Sequence, residues 1–450
     1  MEQKELARLV NMADVTEIQM IMGKLTQYFD QFDVMKIYNK LLAKDHPEVS
    51  VEITECGIFE GPETVKAYME GIQRYMDDPS DKRGWMVLQN LANPAVVVSK
   101  DGRRALGNWD LLAPMAMQAA PYPGAERKLT AFWFCGRYTN EFVKVDGVWK
   151  ILKLRLISFF KSPLDQGWIK QQDCIRFWAN TGVKPTRVRD ISTFYHSDAF
   201  YSGEELYTLG THLPKECPGE SEEEAVYTED EATMARIQRA ADIREIEMLQ
   251  SRYITLLDSF SMTEMFEKLF ATNHPEVSFE MVEGGEYSGE KLPAFIKQCD
   301  MFMQSPASKH GWFGVIDLWT PNIVIGEDGE YAVATFHAFS PHGMDVSVYP
   351  SDERKMTAYW FIGRYFQKYV KINGEWKILK NRVAAFTRPP YDEGWIRQPE
   401  ARRITHDYHT KPSKPSRVIT YHPDNVYSGD GAHTWGPFLP DQGEYQGGAE

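Results

Sequence analysis

The sequence predicts an α+β fold, present twice in one chain of 450 residues. Three observations predict it. The chain repeats itself: HPEVS at His46 to Ser50 returns at His274 to Ser278, KLTAFWFCGRY from Lys128 returns as KMTAYWFIGRY from Lys355, and DGVWKILKLR from Asp146 returns as NGEWKILKNR from Asn373. Each copy opens on apolar residues three and four apart, the mark of an amphipathic helix. Each then passes into β-rich runs separated by Asp-Gly or another glycine-containing loop, the mark of an antiparallel meander. The offset between copies stays at roughly 227 to 230 residues, so one fold serves both.

The first helix is carried by Ile18, Ile21, Leu25 and Phe29, and in the second copy by Ile243, Ile246, Leu249, Tyr253, Leu256 and Phe260. A short strand follows (VSVEIT, VSFEMV), then a glycine-containing turn and a second helix (ETVKAYMEGIQRYM, EKLPAFIKQCDMFM). The period then changes from helical to alternating through NPAVVVSKDGRRALGNWDLL, KLTAFWFCGRYTNEFVKVDG and VWKILKLRLISFF, which gives strands with the helices on one side of a curved sheet. KLTAFWFCGRY is bulky on both alternating faces, as a strand covered on both sides is. Extensions rich in tryptophan, tyrosine, histidine and proline come next, marked by DQGWI and DEGWI and by KPTRV and KPSRV. They are expected to pack as arms over the neighbouring copy. The domains are therefore 1–215 (repeat 1 with its arm), an acidic linker at 216–231 (ECPGESEEEAVYTEDE), and 232–450 (repeat 2 with its arm).

Composition narrows the function. With 64 acidic and 50 basic side chains the net charge is −14, which argues against nucleic acid and against an anionic membrane surface as partners. Cys56, Cys135, Cys174, Cys217 and Cys299 are scattered without a CxxC pair, a pattern of a reducing cytoplasm that also disfavours thiolate zinc. No run approaches the ~18 apolar residues of a membrane span, and the polar N-terminus lacks a leader pattern, so the chain is read as soluble and cytoplasmic. There is no GxGxxG, Walker loop or GxSxG elbow. His406 and His409 in THDYH have helical metal spacing without an evident third ligand, so no metal is expected; HPE at His46 and His274, Trp85, Trp312 and the two GWI segments are read as structural.

In combination, a helix ending in YxxxxD, a short strand, a second helix, GRY, a (D/N)GxWKI turn and an arginine five or six residues on resemble the SnoaL-like branch of the nuclear transport factor 2-like superfamily. The resemblance covers roughly Asp14 to Phe160 and Asp242 to Phe386. It implies two tandem cone-shaped α+β barrels, each a curved and mostly antiparallel sheet wrapped on helices around an apolar pocket. It also implies that the copies pair as an intramolecular pseudo-dimer, with further homo-oligomerisation open. Family members include cyclases, isomerases and dehydratases as well as non-catalytic subunits and binding proteins, so a pocket is implied but not a reaction.

The resemblance further implies a helix-borne Asp with a nearby Tyr, and a His or Asp on central strands. In the second copy RYITLLD places Tyr253 and Asp258 there; in the first the aligned pair is Leu25 and Asp30, with Tyr28 a substitute for the missing tyrosine. The first strand position, a histidine in relatives, holds Gln89 or Asn90 in the first copy and Asp317 in the second. The next holds Asp110 and His337, and alternation groups Asn108 with Asp110 and Thr335 with His337, opposite Trp109 and Phe336. Tyr359, and Arg155 and Arg382 after the two WKI motifs, complete the substrate-binding set. In chemical terms His337 is a base for an activated C–H proton, Asp258 holds the imidazole or takes the proton itself if burial raises its pKa, and Tyr253 donates to a developing oxyanion. Asp30 and Asp110 are the first-copy counterparts, and no organic cofactor is required. The leading expectation is a cofactor-independent lyase or isomerase acting on a bulky, largely apolar ring compound with a hydroxyl or carbonyl. Its rivals are a binding protein that sequesters a hydrophobic ligand and an assembly subunit with an exposed apolar patch.

Overall fold

A computed structural model describes residues 1–53, 56–77, 85–119, 126–164, 181–187, 224–281, 285–303, 313–346, 355–387, 389–392, 395, 439–440 and 442–448. The chain divides into two units, Met1–Ile237 and Gln238–Glu450. The division falls inside the first helix of the second repeat.

In the first unit the long helix α1 (Gln3–Asp30) is followed by a short turn α2 (Val34–Lys36) that continues into a π-helical turn (Ile37–Leu41), a hairpin of β1 (Ser50–Ile53) and β2 (Gly57–Glu60), and α3 (Pro62–Met76). Five strands complete it: β3 (Met86–Val87), β4 (Asn90–Val98), β5 (Arg104–Ala119), β6 (Lys128–Val145) and β7 (Val148–Pro163). The second unit repeats the order with α4 (Glu231–Asp258), α5 (Met262–Leu269), β8 (Ser278–Met281), β9 (Gly285–Ser288), α6 (Lys291–Met303), β10 (Phe313–Gly314), β11 (Leu318–Ile325), β12 (Tyr331–Val346), β13 (Lys355–Ile372) and β14 (Glu375–Thr387). Each sheet has seven strands, in the orders β2-β1-β7-β6-β5-β3 and β10-β12-β13-β14-β8-β9, with β4 joined to β5 and β11 to β12. Both are mixed and open-edged: all pairs are antiparallel except β1 with β7 and β8 with β14. The expected α+β architecture is present in both units; the cones are wrapped sheets and not closed barrels.

Local chemistry explains the joints. Asp146-Gly147 and Asn373-Gly374 turn the last two strands with positive φ at both positions (50° and 81°, 52° and 83°), a geometry matched to strand twist and open to Asp, Asn and Gly. Both long helices stop at Asp, and two residues later Phe32 and Phe260 take φ 57°, a left-handed turn made without glycine that sets the helix exit. This ends the second helix before Phe260, which its apolar spacing had included.

The two cores share further devices. Stacked rings Phe59–Tyr68 (3.6 Å) and Tyr287–Phe295 (3.7 Å) pin the second long helix of each unit, α3 and α6, to its hairpin. Midway along α1, Asp14 is fully buried and its Oδ1 accepts from Trp149 Nε1 (2.8 Å), Lys144 Nζ (2.7 Å) and Arg236 (2.6 Å). Its counterpart Asp242 accepts from Trp376 Nε1 (3.0 Å) and Lys371 Nζ (2.8 Å). Each carboxylate clamps the helix to the turn of the last hairpin.

The described parts of the arms return to their own unit. Arg187 and Ile58 exchange backbone hydrogen bonds (2.9 and 3.2 Å), and Arg187 pairs with Glu60. Residues 224–230 are not free linker: the Ala225 amide donates to the Lys100 carbonyl (3.0 Å), and Tyr227 reaches Gly102. In the second unit the Gln442 amide grips Ile325 of β11, Nε2 donating to its carbonyl (2.8 Å) and Oε1 accepting from its N–H (3.2 Å). Glu327 N–H donates to the Tyr445 carbonyl (3.0 Å). The THDYH histidines, His406 and His409, lie outside the described residues.

Candidate functional site

One ring contact decides which face of the second sheet looks inward. Tyr253, on α4 and fully buried, meets Tyr365 edge to face at 6.1 Å. Tyr365 pairs with Phe336, so Phe336, Ala338, Ser340 and His342 of β12 share the helix-facing side with Tyr359, Phe361 and Tyr365 of β13. His337 is on the opposite side, paired with Arg364 and facing Trp319 across β11. Its Nε2 lies 3.4 Å from the Arg364 guanidinium.

His337 and Asp258 are therefore not brought together, and the expected imidazole–carboxylate pair does not form. The same holds in the first unit. Trp109 pairs with Tyr138, whose hydroxyl donates to Gln89 (2.7 Å) below the helix, while Asp110 accepts from Arg137 (2.7 and 2.8 Å) and Asn93 (2.9 Å) on the far side. Asn90 and Asn108 also lie in register with far-side residues, and neither joins Asp30. Replacing His337 with glutamine should leave any turnover by Asp258 unchanged while lowering thermal stability, checked by parallel activity and melting measurements.

Asp258, the last residue of α4, is half-buried and accepts from the Ile316 amide through Oδ1 (3.1 Å). Burial pushes its carboxyl above the ordinary aspartate value, and the charge of Asp317 adds to that push against the Ile316 hydrogen bond. Asp317, more exposed, is itself raised by partial desolvation. Its amide donates to Ser340 Oγ (3.0 Å), so helix end, strand entry and the inner side of β12 converge. Further along that side His342 stacks on Tyr359 (5.2 Å, 25°) beside Phe361, and the Tyr359 hydroxyl reaches Met344 Sδ (3.4 Å). Ser340 and His342 escaped the sequence reading, which stopped at His337; continuing the alternation from Phe336 by even steps reaches both.

Tyr253 is deeper. Burial raises its phenol well above the usual range, with Tyr365 and Tyr369 adding to the push, so it is a hydrogen-bond donor at neutral pH. In the first unit Asp30 ends α1 close enough to raise Tyr138, whose phenol burial already pushes well up. Tyr28 is buried under Lys24 and Lys36 (5.5 and 5.9 Å to the ring). Lys161, fully buried with Nζ 4.8 Å over Phe134, was also missed.

Arg155 and Arg382 are not pocket cations. Each is in register with a glutamate on the adjacent parallel strand, with Nε 2.7 Å from Glu52 and 2.9 Å from Glu280. Arg382→Met is expected to cost at most ~1 kcal/mol, because the guanidinium is about a third exposed, and to leave ligand binding intact; denaturant titration and ligand titration check the two. Cys135 is pushed up to about 11 by burial, which leaves a thiol and not a thiolate at neutral pH. Among the described residues no cluster of His, Cys, Asp and Glu has metal-binding geometry, and no helix is long and apolar enough to cross a membrane.

Comparison with known proteins places both units. The model of the SnoaL-like domain matches residues 10–155 and 238–382. Among solved structures, a provisional scytalone dehydratase from Novosphingobium aromaticivorans is 16% identical, covering 40% of this chain and 98% of its own, with TM-score 0.27. An NTF2-like protein with a cystatin-like fold from the same organism is 16% identical (35% and 92% covered, TM-score 0.26). A nuclear transport factor 2-like superfamily protein from Salmonella enterica is 22% identical (33% and 92% covered, TM-score 0.24). Among curated proteins none matches. With both family matches lying one in each unit, the chain belongs to the SnoaL-like domain family, carrying that domain twice in tandem.

Proposed function

We propose that the second unit is a cofactor-independent lyase or isomerase of the general acid/base type, acting on a bulky apolar ring compound that bears a hydroxyl or carbonyl. The observation that carries this reading is the half-buried Asp258 at the end of α4, whose carboxyl is raised from the ordinary range by burial and by the charge of the more exposed Asp317 beside it. A carboxylate with a raised pKa is a stronger base than a solvated one, and a carboxylic acid that persists to higher pH returns the proton. Asp258 takes a proton from carbon beside a carbonyl, Tyr253 supports the enolate oxygen, and the proton is returned to carbon or to a departing hydroxyl. The apolar groove beside α4, lined by Ile254, Leu318, Pro321 and Phe336, suits a ring.

The test is hydrogen–deuterium exchange at the α-carbon of 2-tetralone in D2O, followed by proton NMR. Exchange faster than buffer alone is expected. The base must be ionised, and its pKa is raised, so the rate should fall as pH drops through a midpoint above the ~3.9 of a free aspartate. Stability has the opposite sign: the folded state holds the Asp258 proton more tightly than the unfolded chain, so this residue's contribution is lost as pH rises through its folded pKa. Absence of exchange with 2-tetralone and with a panel of hydroxylated ring ketones sinks the reading.

The first unit supports binding better than chemistry. Positions of Tyr253, Tyr369 and Asn381 hold Leu25, Phe142 and Leu154, and the position of Asp317 holds Asn90.

A further inference from the structure

The interior of the second unit contains a ring of polar side chains that is open at the Tyr253 hydroxyl. Tyr369 Oη donates to Gln367 Oε1 (2.5 Å) and lies 3.2 Å from Gln250 Oε1; Gln367 Nε2 donates to Asn381 Oδ1 (2.7 Å); and Asn381 approaches the Tyr253 hydroxyl. Gln250 and Tyr253 share one face of α4, three residues apart. The Gln367 bond fixes Asn381 with its oxygen accepting, whereas the single Tyr369 proton goes to Gln367 and leaves the Gln250 amide able to turn its Nε2 to the Tyr369 oxygen. The unused capacity lies beside Tyr253: Asn381 Nδ2 and the Tyr253 hydroxyl are buried with no hydrogen-bond acceptor of good geometry. One can only donate, and the other is a phenol that keeps its proton. Two buried donors lacking an acceptor cost free energy unless an acceptor joins them.

The ring has an approach. A groove of about 360 Å³ is lined by Glu247, Gln250, Ser251, Ile254, Leu318, Pro321 and Phe336. Gln250 belongs to both groove and ring, 3.2 Å from Tyr369, so turning this one side chain joins the two. The first unit has no such device, with Met22, Leu25, Phe142 and Leu154 at the positions of Gln250, Tyr253, Tyr369 and Asn381.

We propose that this donor ring is a binding subsite for a carbonyl or enolate oxygen, entered past Gln250, with the ligand's apolar ring held along Ile254, Leu318 and Phe336. It rests on the proposed function in making the ligand a ring ketone, and it adds where the oxygen sits and which residues beyond Tyr253 hold it.

The experiment compares 2-tetralone with tetralin, which has the same carbon skeleton without the oxygen, by calorimetric titration of the full chain. Solvent transfer alone favours tetralin; the ring should reverse that and favour 2-tetralone by about tenfold. The infrared band of the 13C-labelled carbonyl should move to lower frequency on binding than it has in water. The preference and the band shift should both disappear in Tyr253→Phe/Asn381→Leu, and the preference should weaken in Gln250→Leu. Asp258→Asn should keep both while losing exchange, so a failure of the base and a failure of the subsite read differently. Equal or weaker binding of 2-tetralone, binding of neither compound, or an unshifted carbonyl band overturns the proposal.

Discussion

Asp258→Asn should slow α-proton exchange into 2-tetralone by about 10² to 10⁴-fold with the fold intact. The amide keeps an oxygen for the Ile316 N–H and nearly the same volume, so what is lost is the base. Thermal stability should hold or rise slightly, because a carboxyl whose ionisation burial opposes is replaced by a group that need not ionise. Asp317→Asn gives a different signature. Removing its charge takes away one cause of the raised Asp258 pKa, so the exchange profile should shift toward lower pH with a smaller loss at its plateau. Rate–pH curves for the two variants separate these outcomes; full exchange in both removes the carboxylates from the mechanism.

Asp242→Ala should destabilise the second unit by roughly 3 kcal/mol, a fall of about 6 to 12 °C in its melting transition. The carboxylate is 3% exposed and holds Trp376 and Lys371 at once. Without it a buried indole N–H has no acceptor and an ammonium loses its counter-charge. Asp14→Ala should do the same in the first unit, where Arg236 is a third donor. Scanning calorimetry checks both, and a shift under about 2 °C would mean that solvent replaces the carboxylate.

These two aspartates show what was legible in the sequence and what was not. The repeat, the helical spacing of Ile243, Ile246 and Leu249, and the alternation of Phe336 with His337 correspond to elements found in the structure. Alternation says which residues share a face but not which face meets the helix. That was decided by Tyr253 against Tyr365, residues more than a hundred positions apart. Hence His337 and Asp110, the polar members of each pair, fell on the far side, where they meet Arg364 and Arg137. Arg155 and Arg382 looked like pocket cations because their glutamate partners stand on a strand brought alongside by a parallel crossing, which no local pattern reveals. Asn381 and Gln250 carried a signal that went unused: leucine and methionine hold their places in the first copy, a polar-for-apolar exchange inside an otherwise repeated core.

Gln442 has a bearing on how the chain behaves in a crowded solution. β11 lies at the margin of its sheet, and such a margin is a template on which another polypeptide can build. By offering one N–H and one C=O to Ile325, the carboxamide of Gln442 imitates a single residue of a neighbouring strand, and the Tyr445 carbonyl takes the Glu327 N–H two residues on. A visiting chain finds these rungs of the ladder taken. A side chain thus guards against aggregation where the backbone would have invited it.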